Sequence, residues 1–269
     1  MIFLNIIDYH VHSSFSGDCS YKMEDMILSA IEKNVQELVF TDHVDIDNPI
    51  PINEIDYDEY IPFFSSLKEK YSSKIDLRLG VEVGLQNHTS QKISDFLSKY
   101  DFDFIIGSSH AAENQDVCMG TFFEGRSLKE SYLAYFKDML NNTIIHKDFC
   151  VYGHLDYVKR YSPFSENELL YKDYADVLDE VLKNLISKGK GIEINTAGMR
   201  YGLGHFHPQV EFLTRYKELG GEIITIGSDS HRPQDIGSHF DSVITLLDSL
   251  GFRYIAKFRK KEPIMIKIK

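Results

Sequence analysis

The chain has no tryptophan, 3 cysteines and 7 prolines in 269 residues. Cys19, Cys118 and Cys150 show no CxxC spacing, and an odd count supplies no disulfide framework. Thiolate zinc sites and disulfide scaffolds are therefore excluded. No apolar run approaches the roughly 20 residues of a membrane-spanning helix. The opening MIFLNII is short, has no basic flank and runs straight into Asp8, so it reads as a first strand over 2–7 and not as a signal peptide. A reducing cytoplasm is the expected location. Positive charge is scarce, with 29 Lys and Arg against 41 Asp and Glu and a formal net charge of −12. Such a chain repels a nucleic-acid backbone. Its one basic stretch, KFRKKEPIMIKIK at the C-terminus, reads as a solvated strand and tail. Linkers, low-complexity runs and internal repeats are also missing, so the whole of 1–269 is expected to form a single domain.

What is present is alternation. Strand-like runs fall at 2–7, 37–41, 75–83, 102–108, 150–153, 191–195, 222–228 and 253–258. Helical patterns lie between them, at about 22–34, 57–71, 89–98, 127–141, 166–188, 208–219 and 239–250. In the first helix Met23, Met26, Ile27, Ala30 and Ile31 recur at helical spacing. Gly189 and Gly220 stand where helix C-terminal caps belong. Strands alternating with helices mean a parallel sheet covered by helices. Seven or eight such units fit an α/β barrel better than a doubly wound open sheet, whose GxGxxG mark after the first strand is absent.

The strand ends carry the chemistry. In a β/α barrel the loops after the strands share one face. The first run leads to Asp8, His10 and His12, with Asp18 soon after. The second ends at Asp42 and His43, and the third contains Glu82. His110 follows the fourth, His154 and Asp156 the fifth, Glu193 and Asn195 the sixth, and Asp229 and His231 the seventh. More than half of the histidines fall at these points. Imidazole with carboxylate suits zinc, manganese or iron. His10 and His12, two apart in an extended segment, can face the same side. Each strand end alone is a weak signal; seven together are not. A cluster of divalent ions there would neutralise phosphate oxygens and supply hydroxide near neutral pH.

Taken in order, DYHVHS, TDH, GVEVG, GSSH, YGHLDYVKR, EINTAG and GSDSH resemble the motif series of the polymerase and histidinol phosphatase (PHP) superfamily, over nearly the whole chain. The resemblance implies a distorted (β/α)7 TIM-like barrel with three divalent metal ions on its C-terminal face and phosphoester hydrolysis by in-line attack of a metal-bridging hydroxide. It implies a first metal on His10, His12, Glu82 and Asp229, a second on Glu82, His110 and His154, and a third on Asp18, His43 and His231. Many relatives have histidine where Asp18 stands, which changes the charge and softness of that third site. Length, the HAAEN segment from His110 to Asn114, YGHLDYVKRY and the segment around Arg200 look most like the histidinol-phosphatase branch. The expected partner is then a small-molecule phosphate ester, with no nucleic acid and no membrane.

A phosphate monoester needs cations beyond the metals. Arg160 and Arg200 each follow a barrel strand, and arginine's fork suits phosphate oxygens; the alternative for each is a surface arginine paired to a carboxylate. His205 and His207 in GLGHFHP are candidates to touch phosphate or protonate the leaving alkoxide, and a turn histidine is an equal reading. Glu113, Asn114 and Asp116, in a long loop with Phe122 and Phe123, are candidates to recognise an amine and an imidazole, against an exposed loop over two buried phenylalanines. Asp229 is placed to move a proton as well as to ligate. His88, His146 and His239 read as structural. The competing classes are a phosphatase of another small ester or of phosphotyrosine, and a non-catalytic metal-binding module.

Overall fold

The computed structural model describes residues 6–50 and 54–268. Seven strands, β1 (Ile7–Val11), β2 (Glu37–Phe40), β3 (Asp76–Gly84), β4 (Phe104–Ser108), β5 (Val151–Tyr152), β6 (Gly191–Asn195) and β7 (Ile224–Gly227), pair in sequence order. Every pairing is parallel. The ring closes where β7 returns to β1. There Val11 bridges Ser230, His12 N donates to Ser230 O at 2.9 Å, and Ser230 N donates to His10 O at 3.3 Å. This is the nearly closed, distorted α/β barrel that the alternation implies.

Helices α1 (Met23–Glu32), α2 (Tyr57–Tyr71), α3 (Ser90–Leu97), α4 (Leu128–Ile145), α5 (Ala175–Ser187), α6 (Val210–Glu218) and α7 (Phe240–Ser249) follow the strands in turn. Helix α1 buries Met23, Met26, Ile27 and Ala30, one stripe at helical spacing. Helix α4 begins at a capping box in which Ser127 Oγ accepts from Glu130 N and Glu130 accepts from Ser127 N; each satisfies a backbone donor that the first turn leaves over. Gly189 (φ 65°) and Gly220 (φ 89°) end α5 and α6 as expected. No helix among the described residues is long and apolar enough to cross a membrane.

Three expectations shift. The first strand is displaced from 2–7 to Ile7–Val11, so Asp8 and His10 lie within it; residues 2–5 of the expected run fall outside the described residues. Barrel strands are buried on both faces, and here polar side chains that reach the barrel mouth continue the strand beyond its apolar run. The fifth helix starts at Ala175, not near 166. Asn167 explains the delay, because its Nδ2 donates to Lys159 O at 2.8 Å and its Oδ1 accepts from Tyr132 Oη, which holds the segment in a loop. Finally, the run at 253–258 is not an eighth barrel strand. It forms β8 (Tyr254–Arg259), which pairs antiparallel with β9 (Glu262–Lys267).

The β8–β9 turn uses Lys260 (φ 50°) and Lys261 (φ 68°), the pair of positive φ angles that suits a two-residue hairpin. Phe258 packs on Phe104 with ring centroids 5.1 Å apart, and Phe258 N donates to Tyr9 Oη at 2.8 Å. Arg259 Nη1 donates to Glu37 Oε1 at 2.7 Å and Nη2 to Asp76 Oδ2 at 3.0 Å. Glu37 and Asp76 are the first residues of β2 and β3, so the hairpin caps the end of the barrel opposite the histidines.

Candidate metal centre

All nine residues named as ligands from the motifs meet at the C-terminal mouth. Glu82 is the hub. Its Oε2 lies 3.0 Å from His10 Nε2, 3.1 Å from His43 Nδ1 and 3.6 Å from His12 Nε2. Its Oε1 lies 3.2 Å from His110 Nε2 and 3.1 Å from His154 Nε2. Asp229 Oδ1 sits 3.3 Å from His12 Nε2 and 3.6 Å from His231 Nδ1. Asp18 stands at the rim, its Oδ2 3.0 Å from His231 Nε2 and 3.6 Å from His43 Nε2. A two-residue strand, His43–Val44, pairs with β3 and sets His43 directly opposite Glu82.

The charges show how strongly this cluster is built for cations. Burial opposes charging of His10, but Glu193, Glu82 and Asp229 outweigh it and raise its pKa well above the usual imidazole value. His110 is lifted to about 10, with Asp45 and Glu82 overcoming burial. Glu82 and Asp229 stay ionised against burial because imidazoles surround them. His12 goes the other way, to about 3, through burial and the neighbouring charges of His231 and His43. His12 therefore keeps a neutral ring with a free lone pair, the state a metal needs.

The donor set fits divalent ions. His12 Nε2 and His43 Nδ1 are buried without hydrogen-bond partners, although carboxylate oxygens stand close by. Buried polar atoms are rarely left so. Among the described residues, three groups bring ligand atoms within 4.8 Å of one another: His10, His12 and Glu82; His43, Glu82 and His110; and His12, His43 and His231.

Two carboxylates outside the expected ligand set orient it. Glu193 Oε1 accepts from His10 Nδ1 at 2.5 Å, and Asp45 Oδ1 accepts from His110 Nδ1 at 2.8 Å. Each fixes a tautomer and turns Nε2 toward Glu82. Asp45 approaches β3 so closely that a Cβ at Gly84 would stand 1.7 Å from its Oδ1, so any side chain there would push the Asp45 carboxylate out of its place beside His110. Glu193 was visible as a strand-end carboxylate. Asp45 had only one clue, its place two residues after His43. Other strand-end polar residues build loops. Asp42 accepts from Ser13 N at 2.6 Å, Ser16 Oγ at 2.7 Å and Tyr60 Oη at 2.7 Å, shaping the turn that carries His12 and Asp18. Asp8 accepts from Ser228 N and Gly237 N, both at 2.9 Å, and ties β1 to the loop after β7.

A cleft of about 290 Å³ opens over the ligands, and Arg160, Arg232, Tyr157, Tyr161 and Tyr201 line it. Arg232 was not singled out from the sequence, where it looks like any exposed arginine. The expected substrate contacts divide. Arg160 faces the cleft. Arg200 turns away: its Nη2 donates to Ser228 O at 2.6 Å and Asp229 O at 3.0 Å, and its Nε lies 3.6 Å from Asp235. Glu113 and Asn114 form the tip of a small hairpin with φ of 51° and 59°, and Glu113 pairs with Arg126 at 2.5 Å. Phe122 and Phe123 are buried. His207 Nδ1 donates to Asp156 Oδ1 at 2.5 Å; its buried ring stands behind His154, with centroids 6.5 Å apart. His205 Nδ1 donates to Phe206 O at 2.7 Å. His146 Nε2 donates to Gln86 O at 2.9 Å, a structural bond.

A second cleft of about 400 Å³ adjoins the first through Asp18, His43, His110, Tyr157 and Tyr161, and adds Asp45, Asn48, Asp116 and Cys118. Carboxylates line both, but only the first adds arginines.

Comparison with known proteins gives a consistent result. The PHP domain family matches residues 8–197. The chain is 32% identical over 251 residues to a "Probable histidinol-phosphatase" of Clostridium acetobutylicum, covering 92% of this chain and 95% of that protein. It is 31% identical over 261 residues to the histidinol-phosphatase of Lactococcus lactis, covering 94% of each. The crystal structure of histidinol phosphate phosphatase from Lactococcus lactis, complexed with zinc, L-histidinol and phosphate, superposes with a TM-score of 0.89 at 29% identity, covering 97% of this chain and 99% of that one.

Proposed function

This chain belongs to the PHP domain family, in its histidinol-phosphatase branch, and from that premise we propose that it hydrolyses L-histidinol phosphate to L-histidinol and inorganic phosphate, a step of histidine biosynthesis. The observation that carries the reading is the convergence of nine ligand side chains beneath a cleft that also presents Arg160 and Arg232. Neither arginine forms an ion pair with a carboxylate among the described residues, so both are available to a phosphate group.

Three divalent ions, zinc, manganese or iron, would be held by His10, His12, Glu82 and Asp229, by Glu82, His110 and His154, and by Asp18, His43 and His231. Such ions supply Lewis acidity and lower the pKa of water at neutral pH. The chain's own groups do the rest. Arg160 and Arg232 take up charge on the non-bridging phosphate oxygens. Asp229 Oδ1, between His12 and His231, is placed to accept the proton of the attacking water. The water oxygen bonds to phosphorus as the bond to the alkyl oxygen breaks, and the proton taken up by Asp229 passes to that alkyl oxygen, which leaves as the neutral alcohol of histidinol. The ammonium and imidazole of the substrate lie along the acidic second cleft, where Asp116 is held by Cys118 N at 2.8 Å and Asn48 Nδ2 at 3.3 Å. In this arrangement Arg200 supports the Asp229 loop instead of touching phosphate.

Steady-state kcat/KM on histidinol phosphate, a phosphotyrosine peptide and nucleotide monophosphates tests the reading. We expect histidinol phosphate to be preferred by at least about 10²-fold, the discrimination that paired charges in a site can supply. Equal rates across the panel would remove the substrate assignment and leave only the phosphatase.

A further inference from the structure

Among the described residues the Arg160 guanidinium has no carboxylate partner, yet three rings hold it. Its Cζ lies 3.2 Å over the centre of the Tyr201 ring, 4.9 Å over Tyr161 and 6.0 Å over Tyr157. Stacking occupies the faces of a guanidinium and leaves its in-plane N–H donors free. Arg215 shows the contrast, since its Nε and Nη2 are spent on Asp179. Arg160 lines the cleft beside Tyr157, Tyr161 and Tyr201 with its N–H donors committed to no carboxylate among the described residues.

Tyr201 occupies a costly place for an aromatic side chain, at 51% exposure. It ends the single helical turn Ala197–Arg200 and precedes Gly202 and Gly204, with φ of 74° and 73°, angles that suit glycine. Arg200, the residue before it, is bonded to the carbonyls of Ser228 and Asp229. The loop that carries Tyr201 is therefore tied to the backbone of a metal ligand. Two adjacent residues set the distance between the guanidinium and the metal centre, Arg200 by anchoring the loop and Tyr201 by stacking.

We infer that Tyr201 is a positioning residue that acts through Arg160, holding the guanidinium edge toward the phosphoryl group. The inference rests on the reading of Arg160 as a phosphate ligand. It is tested with inorganic phosphate as a competitive inhibitor, together with KM and kcat, for Tyr201→Leu, Tyr201→Phe, Arg160→Ala and the Arg160→Ala/Tyr201→Leu pair, each checked for an unchanged melting temperature. Tyr201→Leu should raise the phosphate inhibition constant and KM by about 3- to 30-fold, the range of a cation–π contact, with a smaller change in kcat. Tyr201→Phe keeps the ring and should retain most of the affinity. In the Arg160→Ala background the leucine substitution should add nothing, because the two residues act as one unit. Additive losses, an unaltered Tyr201→Leu enzyme, or a phenylalanine variant as weak as the leucine one would each overturn the inference. Phosphate inhibition unchanged in Arg160→Ala itself would instead overturn the assignment of Arg160, a separate outcome.

Discussion

Glu82→Gln should leave a folded protein that neither retains metal nor turns over histidinol phosphate, with kcat/KM down by more than about 10³-fold. That exceeds the loss of about 10- to 100-fold that follows removal of a partner outside the ligand sphere. The reason is geometric. One carboxylate stands within 3.0 to 3.2 Å of ring nitrogens from His10, His43, His110 and His154, imidazoles from four separate strand ends. Glutamine has the same shape but replaces one ligating oxygen with an NH2 that only donates. The carboxylate that two of the three expected metal positions share loses its charge and one of its two oxygen donors, Oε1 or Oε2. The fold should survive, because β3 is buried and paired on both sides whatever the side chain's charge, and the histidines that Glu82 keeps protonated can lose their protons. Metal content by atomic emission, a thermal melt and steady-state kinetics read the three expectations separately. A variant with wild-type metal content and more than a tenth of the activity would remove Glu82 from the hub.

Arg160→Ala is expected to lower kcat/KM by about 10²-fold, the usual scale for one preorganised donor to developing charge, while metal content stays unchanged. Arg160 lies over the Tyr201 ring, pairs with no carboxylate among the described residues and lines the cleft with Glu82 and Asp229. If phosphate is bound equally in ground and transition states, the loss appears in KM; if the contact tightens as charge develops, it appears in kcat. A kcat/KM within twofold of wild type would exclude Arg160 from the site and leave the phosphate to Arg232, the other cleft arginine among the described residues.

The candidate ligands were legible because a barrel converts strand ends into one surface, so position after an apolar run carries spatial meaning. His10, His154 and Asp229 were found that way, and Glu82 as the carboxylate of a strand with little else polar. Direction is what local sequence does not encode. Arg200 and Tyr201 are neighbours on one turn, yet one points to backbone carbonyls and the other to Arg160. Glu113 looked like a substrate carboxylate and serves a hairpin tip, while Asp116, three residues on, faces the second cleft. Asp45 and Glu193 became visible as supports for His110 and His10 only once the strands were in register. The start of α5 followed the same rule: its helical spacing extends back past residue 170, and the tertiary bonds of Asn167 override it. The run at 253–258 left seven or eight barrel units open, because an apolar strand that plugs a barrel reads like one that belongs to its wall.

The central claim is that the imidazole and carboxylate cluster around Glu82 works only with divalent metal. The most direct test is one titration: kcat/KM for histidinol phosphate and bound metal per chain, followed together while a chelator strips the protein and zinc or manganese is then restored. Activity that falls in proportion to bound metal, reaches background in the stripped protein and returns on restoration is the predicted result. Stripped protein that still hydrolyses histidinol phosphate at the original rate would contradict the account.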